Sequence, residues 1–331
     1  MCGFARCGPL PHGDYLQRWL AEGQAGDMDW LTRGLGSRLD PSNLLPGART
    51  LIVAGMNSYQ PRPAGRGTVA RYALGGDYHD LIRGRLKEVA TWLENFGGRQ
   101  RVCVDTSPLM EKVAAAMAGL GWQGKHTVMI HRRRGTWLLL GVIVTTLELP
   151  TDRPEPDRCG SCNRCMKACP TGAIHAPYQL DARRCLAYLS VECKGPIPEE
   201  FRRAMGDRVF GCDDCLDVCP WNRWAVATRE MALAARPNPD LREMLAWDDA
   251  TFRAHFRGTP IFRLKRNRWL RNVAVVLGNI GTMEDLPALR RAASDPDPLV
   301  AEHAAWAVRE IESRHRTQFR APELGQVSGK G

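Results

Sequence analysis

Cys159-Gly160-Ser161-Cys162-Asn163-Arg164-Cys165-Met166-Lys167-Ala168-Cys169-Pro170 is the stretch on which the reading of this chain turns. It has the pattern C-x2-C-x2-C-x3-C-P, the run of bacterial ferredoxin-like modules that hold two [4Fe-4S] clusters, in which the fourth cysteine serves the other cluster. Two-residue spacings let one loop wrap three corners of a cubane. The run therefore implies a second site, supplied by Cys212-Asp213-Asp214-Cys215-Leu216-Asp217-Val218-Cys219-Pro220 with Cys185 as the remaining thiolate. On this logic Cys159, Cys162 and Cys165 join Cys219 at one cluster, and Cys169 joins Cys185, Cys212 and Cys215 at the other. Zinc also suits C-x2-C pairs. It gives no reason for a third cysteine two residues on, a fourth after three more, and a proline behind each closing cysteine. Cys193 competes with Cys185 for the eighth place, while Cys2, Cys7 and Cys103 stand alone and read as small buried hydrophobes.

The surroundings agree with a cluster protein. Nine of the 12 cysteines, the eight expected ligands and Cys193, are crowded into this one region, and no secretory signal precedes them, which favours metal or redox chemistry over a disulfide scaffold. With 44% hydrophobic and 25% charged residues the chain is globular, and 331 residues suffice for two or three domains. No stretch approaches the roughly 20 apolar residues of a membrane span, so a cytoplasmic location is expected. A net charge of +10 and a pI near 9.2 fit an anionic partner such as nucleic acid, and fit a merely soluble protein as well.

Working outward, the segment 1–156 alternates helical stretches with short β-branched runs at 50–54, 101–104 and 137–144, and carries helical spacing over 80–96. That predicts an α/β or α+β domain, ended by the proline-rich, charged 152–157. The cysteine module spans 157–225. A helical region, 226–316, follows, in which 273–280 aligns with 304–311 at a spacing of 31 residues, as in HEAT-like repeats or an ordinary helical hairpin. The tail 317–331 has no periodicity and is expected to be disordered. The overall fold class is α+β.

Clusters move electrons singly, so the bond chemistry is expected upstream. Asp105, in Val104-Asp105-Thr106-Ser107-Pro108, closes a strand with a carboxylate and is a candidate general acid or a turn aspartate. The glycine-rich 118–127 is expected to let the backbone approach a large ligand. From Arg253 to Arg271 seven basic residues occur without an acidic one, a pattern that suits phosphate contact or a solvated helix face.

The strings VDTSP, AGLGWQGKHT, GTWLLLGVIVTTLELPTDRP, CGSCNRCMKACPTGAI and GCDDCLDVCPWN, with MDWLTR and RYALGGDYH upstream and the repeats behind, resemble the epoxyqueuosine reductase family over nearly the whole chain. The resemblance implies a cobalamin held by the first domain, two clusters feeding it, and reduction of epoxyqueuosine to queuosine in the anticodon loop of tRNA, the last step of queuosine biosynthesis. It places the proton donor on Asp105, cobalamin contacts on Arg33, Asp105, Met129, Leu140, Ala187 and Asp213, and a tRNA contact on Lys194. An electron-donor protein such as a flavodoxin or ferredoxin is expected, and a monomer. The family carries a further helix ahead of the segment resembling CGFARCGPL, and the chain departs from it there. The D-x-H-x-x-G pattern of cobalt-ligating histidines is absent, since Asp77-Tyr78-His79 lacks the glycine. Rival readings are a reductive dehalogenase-like enzyme, which usually carries an export signal and no repeat tail, and a ferredoxin-like carrier, which would leave the first domain without a task.

Overall fold

The computed structural model describes residues 1–237 and 239–319. Its strands are β1 (Cys2–Arg6), β2 (Thr50–Asn57), β3 (Thr68–Val69), β4 (Gln100–Cys103), β5 (Trp122–Gln123), β6 (Met129–Ile130), β7 (Leu138–Thr145) and β8 (Arg208–Phe210). Its helices in the first half are α1 (Gly13–Ala21), α2 (Leu35–Leu39), α3 (Tyr78–Leu93) and α4 (Glu111–Met117). The cysteine region adds the short α5 (Arg164–Ala168), α6 (Leu186–Val191), α7 (Glu199–Arg202) and α8 (Asp214–Asp217). The rest is α9 (Leu241–Met244), α10 (Asp249–Phe256), α11 (Lys265–Ile280), α12 (Leu286–Ala292) and α13 (Pro298–Phe319).

Strands β2 and β7 are the β-branched runs that the sequence marks, and they pair in register from Thr50 against Thr145 to Asn57 against Leu138. Because side chains alternate along a strand, Leu51, Val53, Val142 and Val144 face one side, against Val113, Ala114 and Ala115 of α4. Ile52, Leu139 and Ile143 face the other, against Ile82, Leu86, Ala90 and Leu93 of α3. Each such side chain contributes roughly 1.5–3 kcal/mol when fully buried. A side chain at Gly141 would put its Cβ 2.6 Å from Ile82 and Leu86, so this glycine sets how closely α3 lies on the sheet.

The fold is mixed α and β as expected, but the order β1-β2-β7-β4 is antiparallel throughout, unlike the doubly wound sheets that α/β suggests. Strands buried on both faces read as unbroken apolar runs whatever their direction, which is why spacing did not separate the two cases.

The string RYALGGDYH crosses from this domain into the others. The Ala70 N–H donates to Phe210 O, Gly76 N–H to Ala232 O and Asp77 N–H to Gly258 O, at 2.8 Å each. The two segments aligned at 31-residue spacing fall on α11 and α13, which pack on one another. Their core is continuous with Leu186, Leu189, Ile197 and Phe210 of the cysteine region, so packing does not stop at residue 225. Of the tail expected from 317 on, 317–319 end α13, and 320–331 lie outside the described residues. Among the described residues no helix is long and apolar enough to cross a membrane.

Candidate active site

The eight expected cysteines form two groups in space. Cys159, Cys162, Cys165 and Cys219 line one cavity of about 50 Å³. Burial first, and then Cys159, Cys165 and Cys162 nearby, push the Cys219 thiol up to about 11. Cys215 is raised well above its ordinary value by burial and by Cys185, Cys212 and Cys169 around it. The first group's thiols ring a cavity, and among the described residues no three of His, Cys, Asp or Glu close on a single ion. Such spacing fits a cubane, which is wider than one ion. Cys193 is buried elsewhere, its thiol directed at Gly195 O and Pro196 O, 3.7 and 3.9 Å away. Cys7 and Cys103 are buried as expected; Cys2 is exposed, because β1 is an edge strand.

The glycine-rich 118–127 brings Lys125 and His126 to the cavity of the first cysteine group. It wraps the first cysteine loop, where Lys125 Nζ donates to Gly160 O at 2.6 Å and Cys162 O at 3.0 Å. Gly121, at φ 140°, passes so close to Ile130 that a Cβ would lie 2.0 Å from its carbonyl oxygen, so the glycine serves chain against chain. His126 lines the same cysteine cavity. Its Nδ1 accepts from Val128 N–H at 3.2 Å, and its buried Nε2 has no partner.

Asp105 sits in the turn after β4 with φ 51°, a left-handed conformation that is uncommon outside glycine. Its N–H donates to Glu111 Oε1 at 2.5 Å. Its Oδ2 is 2.8 Å from His79 Nε2, and His79 Nδ1 is 2.6 Å from Asp77 Oδ1. A carboxylate on each ring nitrogen favours the doubly protonated ring, against burial and the nearby Arg263 charge. Asp77 also caps α3, accepting from His79 N–H at 3.0 Å, and Tyr78 stacks on the His79 ring at 4.0 Å. Arg263 closes the cluster, with Nη1 3.3 Å from His79 Nε2 and Nη2 3.8 Å from Asp77 Oδ2.

The Asp105 side chain is 52% exposed, yet it stands in a deep cleft. Burial by the walls is the largest influence and would raise its carboxyl. The hydrogen bond and charge of His79, with Arg263 and Lys112, outweigh it and hold the group below the ordinary carboxylate range. Burial opposes protonation of His79, but Asp105 and Asp77 lift it above the ordinary imidazole value. Burial and the Asp105 charge push Glu111 up to about 8. Lys112 is lowered by burial although Glu111, Asp105, Cys215 and Cys185 all favour its charge. Lys112 therefore lies within electrostatic reach of Asp105 and of Cys185 and Cys215 in the second cysteine group.

Sequence reasoning missed His79, having tested it only as a cobalt ligand. The available signal was Asp-x-His at the start of a helix. Of the remaining expected residues, Arg33 is exposed and its neighbour Gly34 lies against Pro108 of the Asp105 turn. Ala187 is half-buried on α6 and Leu140 on β7, while Met129 is 1% exposed and packed in the core. Asp213 is 4% exposed, and its carboxylate is taken by Arg71 N–H and Arg62 at 2.9 Å each. Lys194 is exposed, with Nζ 3.6 Å from Asp29.

The basic run divides. Arg271 is fully buried and donates to the carbonyls of Leu189, Cys193 and Gly195; Arg266 pairs with Asp295 at 2.5 Å; Arg268 donates to Leu264 O and Val191 O. These three hold the fold together. Arg253, Arg257 and Lys265 remain exposed.

Two separate thiol groups, with a His79–Asp105 pair in the neighbouring domain, define an iron–sulfur oxidoreductase of the double-cluster class. Residues 158–222 match the model of the 4Fe-4S double cluster binding domain, and 38–106 match the model described as Epoxyqueuosine reductase QueG, DUF1730. The epoxyqueuosine reductase of Xanthomonas campestris pv. campestris is 44% identical over 326 residues, covering 92% of this chain and 92% of its own. That of Escherichia coli K12 is 42% identical over 319 residues, covering 91% and 83%. This chain belongs to the epoxyqueuosine reductase family. A crystal structure of epoxyqueuosine reductase with an epoxyqueuosine-modified tRNA-Tyr stem loop matches 99% of it at a TM-score of 0.88 and 29% identity, over 91% of that chain. The Bacillus subtilis enzyme with its catalytic loop swung out of the active site matches 98% at 0.86 and 27%, over 91% of that chain.

Proposed function

We propose that this chain reduces epoxyqueuosine to queuosine in the anticodon loop of tRNA, in the cleft between the Asp105 turn and the second cysteine group. The observation that carries the reading is the His79–Asp105 pair, 2.8 Å apart, with Lys112 within electrostatic reach of Asp105, Cys185 and Cys215. The tRNA assignment rests on the relative solved with its stem loop. Opening the epoxide to the alkene takes up two electrons and two protons and releases the oxygen as water. When bound, a cobalamin in the cleft and two [4Fe-4S] clusters on the cysteine groups supply the electrons and the carbon–oxygen cleavage.

The protein's part is to position and to give the proton. In the free cleft the proton rests on His79 and Asp105 is ionised. A nucleoside filling the cleft strips water from the exposed Asp105 carboxylate, and loss of solvation raises a carboxyl. The proton then passes 2.8 Å from Nε2 to Oδ2, facing the departing oxygen. A corrinoid would be held by Arg33, Asp105, Met129, Leu140, Ala187 and Asp213, the contacts that the family resemblance implies. Lys194 contacts RNA beside it.

The units are a cobalamin-binding domain over 1–156, a ferredoxin-like module over 157–225 and HEAT-like helices over 226–316 that receive the stem. The protein works as a cytoplasmic monomer, where its thiols stay reduced. Anaerobic protein, assayed for iron, sulfide and corrinoid and then given epoxyqueuosine-containing tRNA, tests the proposal. Full cofactor content without queuosine formation would refute it.

A further inference from the structure

The first cysteine group is flanked by positive charge. Arg164 stands between Cys162 and Cys165, Lys167 between Cys165 and Cys169, and Arg223 four residues after Cys219. Arg132, Arg133 and Arg134 join them on the loop before β7. That loop is pinned to the cysteine module through Asn222, whose Oδ1 accepts Thr136 N–H at 2.8 Å. All six side chains are exposed, and none is in an ion pair among the described residues.

Arg164, Lys167 and Arg223 rim an open groove of about 780 Å³ that Cys219 also lines. The carboxylate in the groove, Asp217, is already spoken for by Arg71 and Arg62. Beside the rim lies apolar surface: Trp224 is 53% and Val226 58% exposed. Uncompensated charge around an apolar patch, beside a groove that a thiol of the first cysteine group lines, is the anatomy of a transient redox interface. Such interfaces are small, below about 1,200 Å², and depend on charge for their rate of encounter.

We propose that this rim is the docking surface for an acidic one-electron carrier protein. The proposal rests on the cluster reading above. In each encounter the carrier is oxidised by one electron and the cluster held by Cys159, Cys162, Cys165 and Cys219 is reduced by one, with no bond made or broken. Two encounters supply one turnover.

The test uses the reconstituted holoenzyme and reduced flavodoxin, an acidic carrier, with bleaching of the cluster absorbance followed by stopped flow. Photoreduced deazaflavin, small and uncharged at its ring, is the comparison reductant. Changing Arg132, Arg133, Arg134 and Arg223 to Glu leaves the residues between the cysteines intact. It is expected to slow reduction by flavodoxin about 10-fold to 1,000-fold at low ionic strength, with the gap narrowing as salt is added. Reduction by deazaflavin and affinity for the tRNA stem loop should stay as in the parent. An unchanged flavodoxin rate overturns the proposal, as does a parallel loss of tRNA affinity, which would give the rim to RNA. If the parent protein does not bleach even with deazaflavin, the cluster reading fails and takes the docking surface with it.

Discussion

His79 Nε2 lies 2.8 Å from Asp105 Oδ2, while its Nδ1 lies 2.6 Å from Asp77 Oδ1, so one imidazole is gripped by two carboxylates. Asp105 is the member that faces the open cleft. Replacing it with asparagine keeps its size and removes its proton. Asp105→Asn should retain iron and corrinoid and lose about 100-fold to 10,000-fold in turnover, the usual contribution of a positioned acid. Near-normal turnover at full cofactor content would move the proton's source to water.

The same relationship fixes a pH dependence. His79 sits above the ordinary 6.5, so the stability it lends is complete below that value and is lost as pH rises through its folded value. Asp77 and Asp105 sit below the ordinary 3.8, so theirs is present above that value and is lost as pH falls through their folded values. Between these limits the pair is intact. Turnover should fall on the alkaline side as the shared proton leaves, and His79→Gln should abolish that limb while keeping both clusters. A parent-like alkaline limb in the glutamine variant would show that another group titrates.

Cluster ligation separates two neighbouring cysteines. Cys185→Ser should lose or distort one cluster, whereas Cys193→Ser, whose thiol faces Gly195 O and Pro196 O, should keep about eight irons per chain. Iron analysis with electron paramagnetic resonance on the reduced proteins reads both. Four irons in the Cys193 variant would exchange the two assignments.

The basic run should split by function. Arg271→Met strands the carbonyls of Leu189, Cys193 and Gly195 in the core, at roughly 1–3 kcal/mol each, and should lower the unfolding free energy by about 3 kcal/mol or more. Arg253→Glu with Arg257→Glu should leave stability alone and weaken tRNA binding while flattening its salt dependence. Unchanged affinity at every salt concentration would make these two arginines part of a solvated face.

What the sequence made legible follows from the range of each signal. The cysteine groups were readable because ligand spacing is local chemistry, and β2 and β7 because their β-branched runs are continuous. Strand partners are not local, so the antiparallel order of the sheet had no signature. Gly119, Gly121 and Gly124 announced close approach without saying to what, and the answer was Ile130 and Arg153 rather than a ligand. Arg271 and Arg253 look alike in a charge count; only packing shows that one is core and the other surface. His79 was hidden because its partner lies 26 residues away.

The backbone bonds of Ala70, Gly76 and Asp77 reach three separate parts of the chain, and Asp77 is also the cap that begins the His79 helix. A jaw that closes by swinging the first domain against the rest would have to tear those bonds, and the acid pair would be displaced in the same stroke. The cleft is therefore a socket rather than a clamp. The moving part must be the nucleoside, turned out of its loop and delivered into a notch already shaped for it, with any remaining play confined to the turn that carries Asp105.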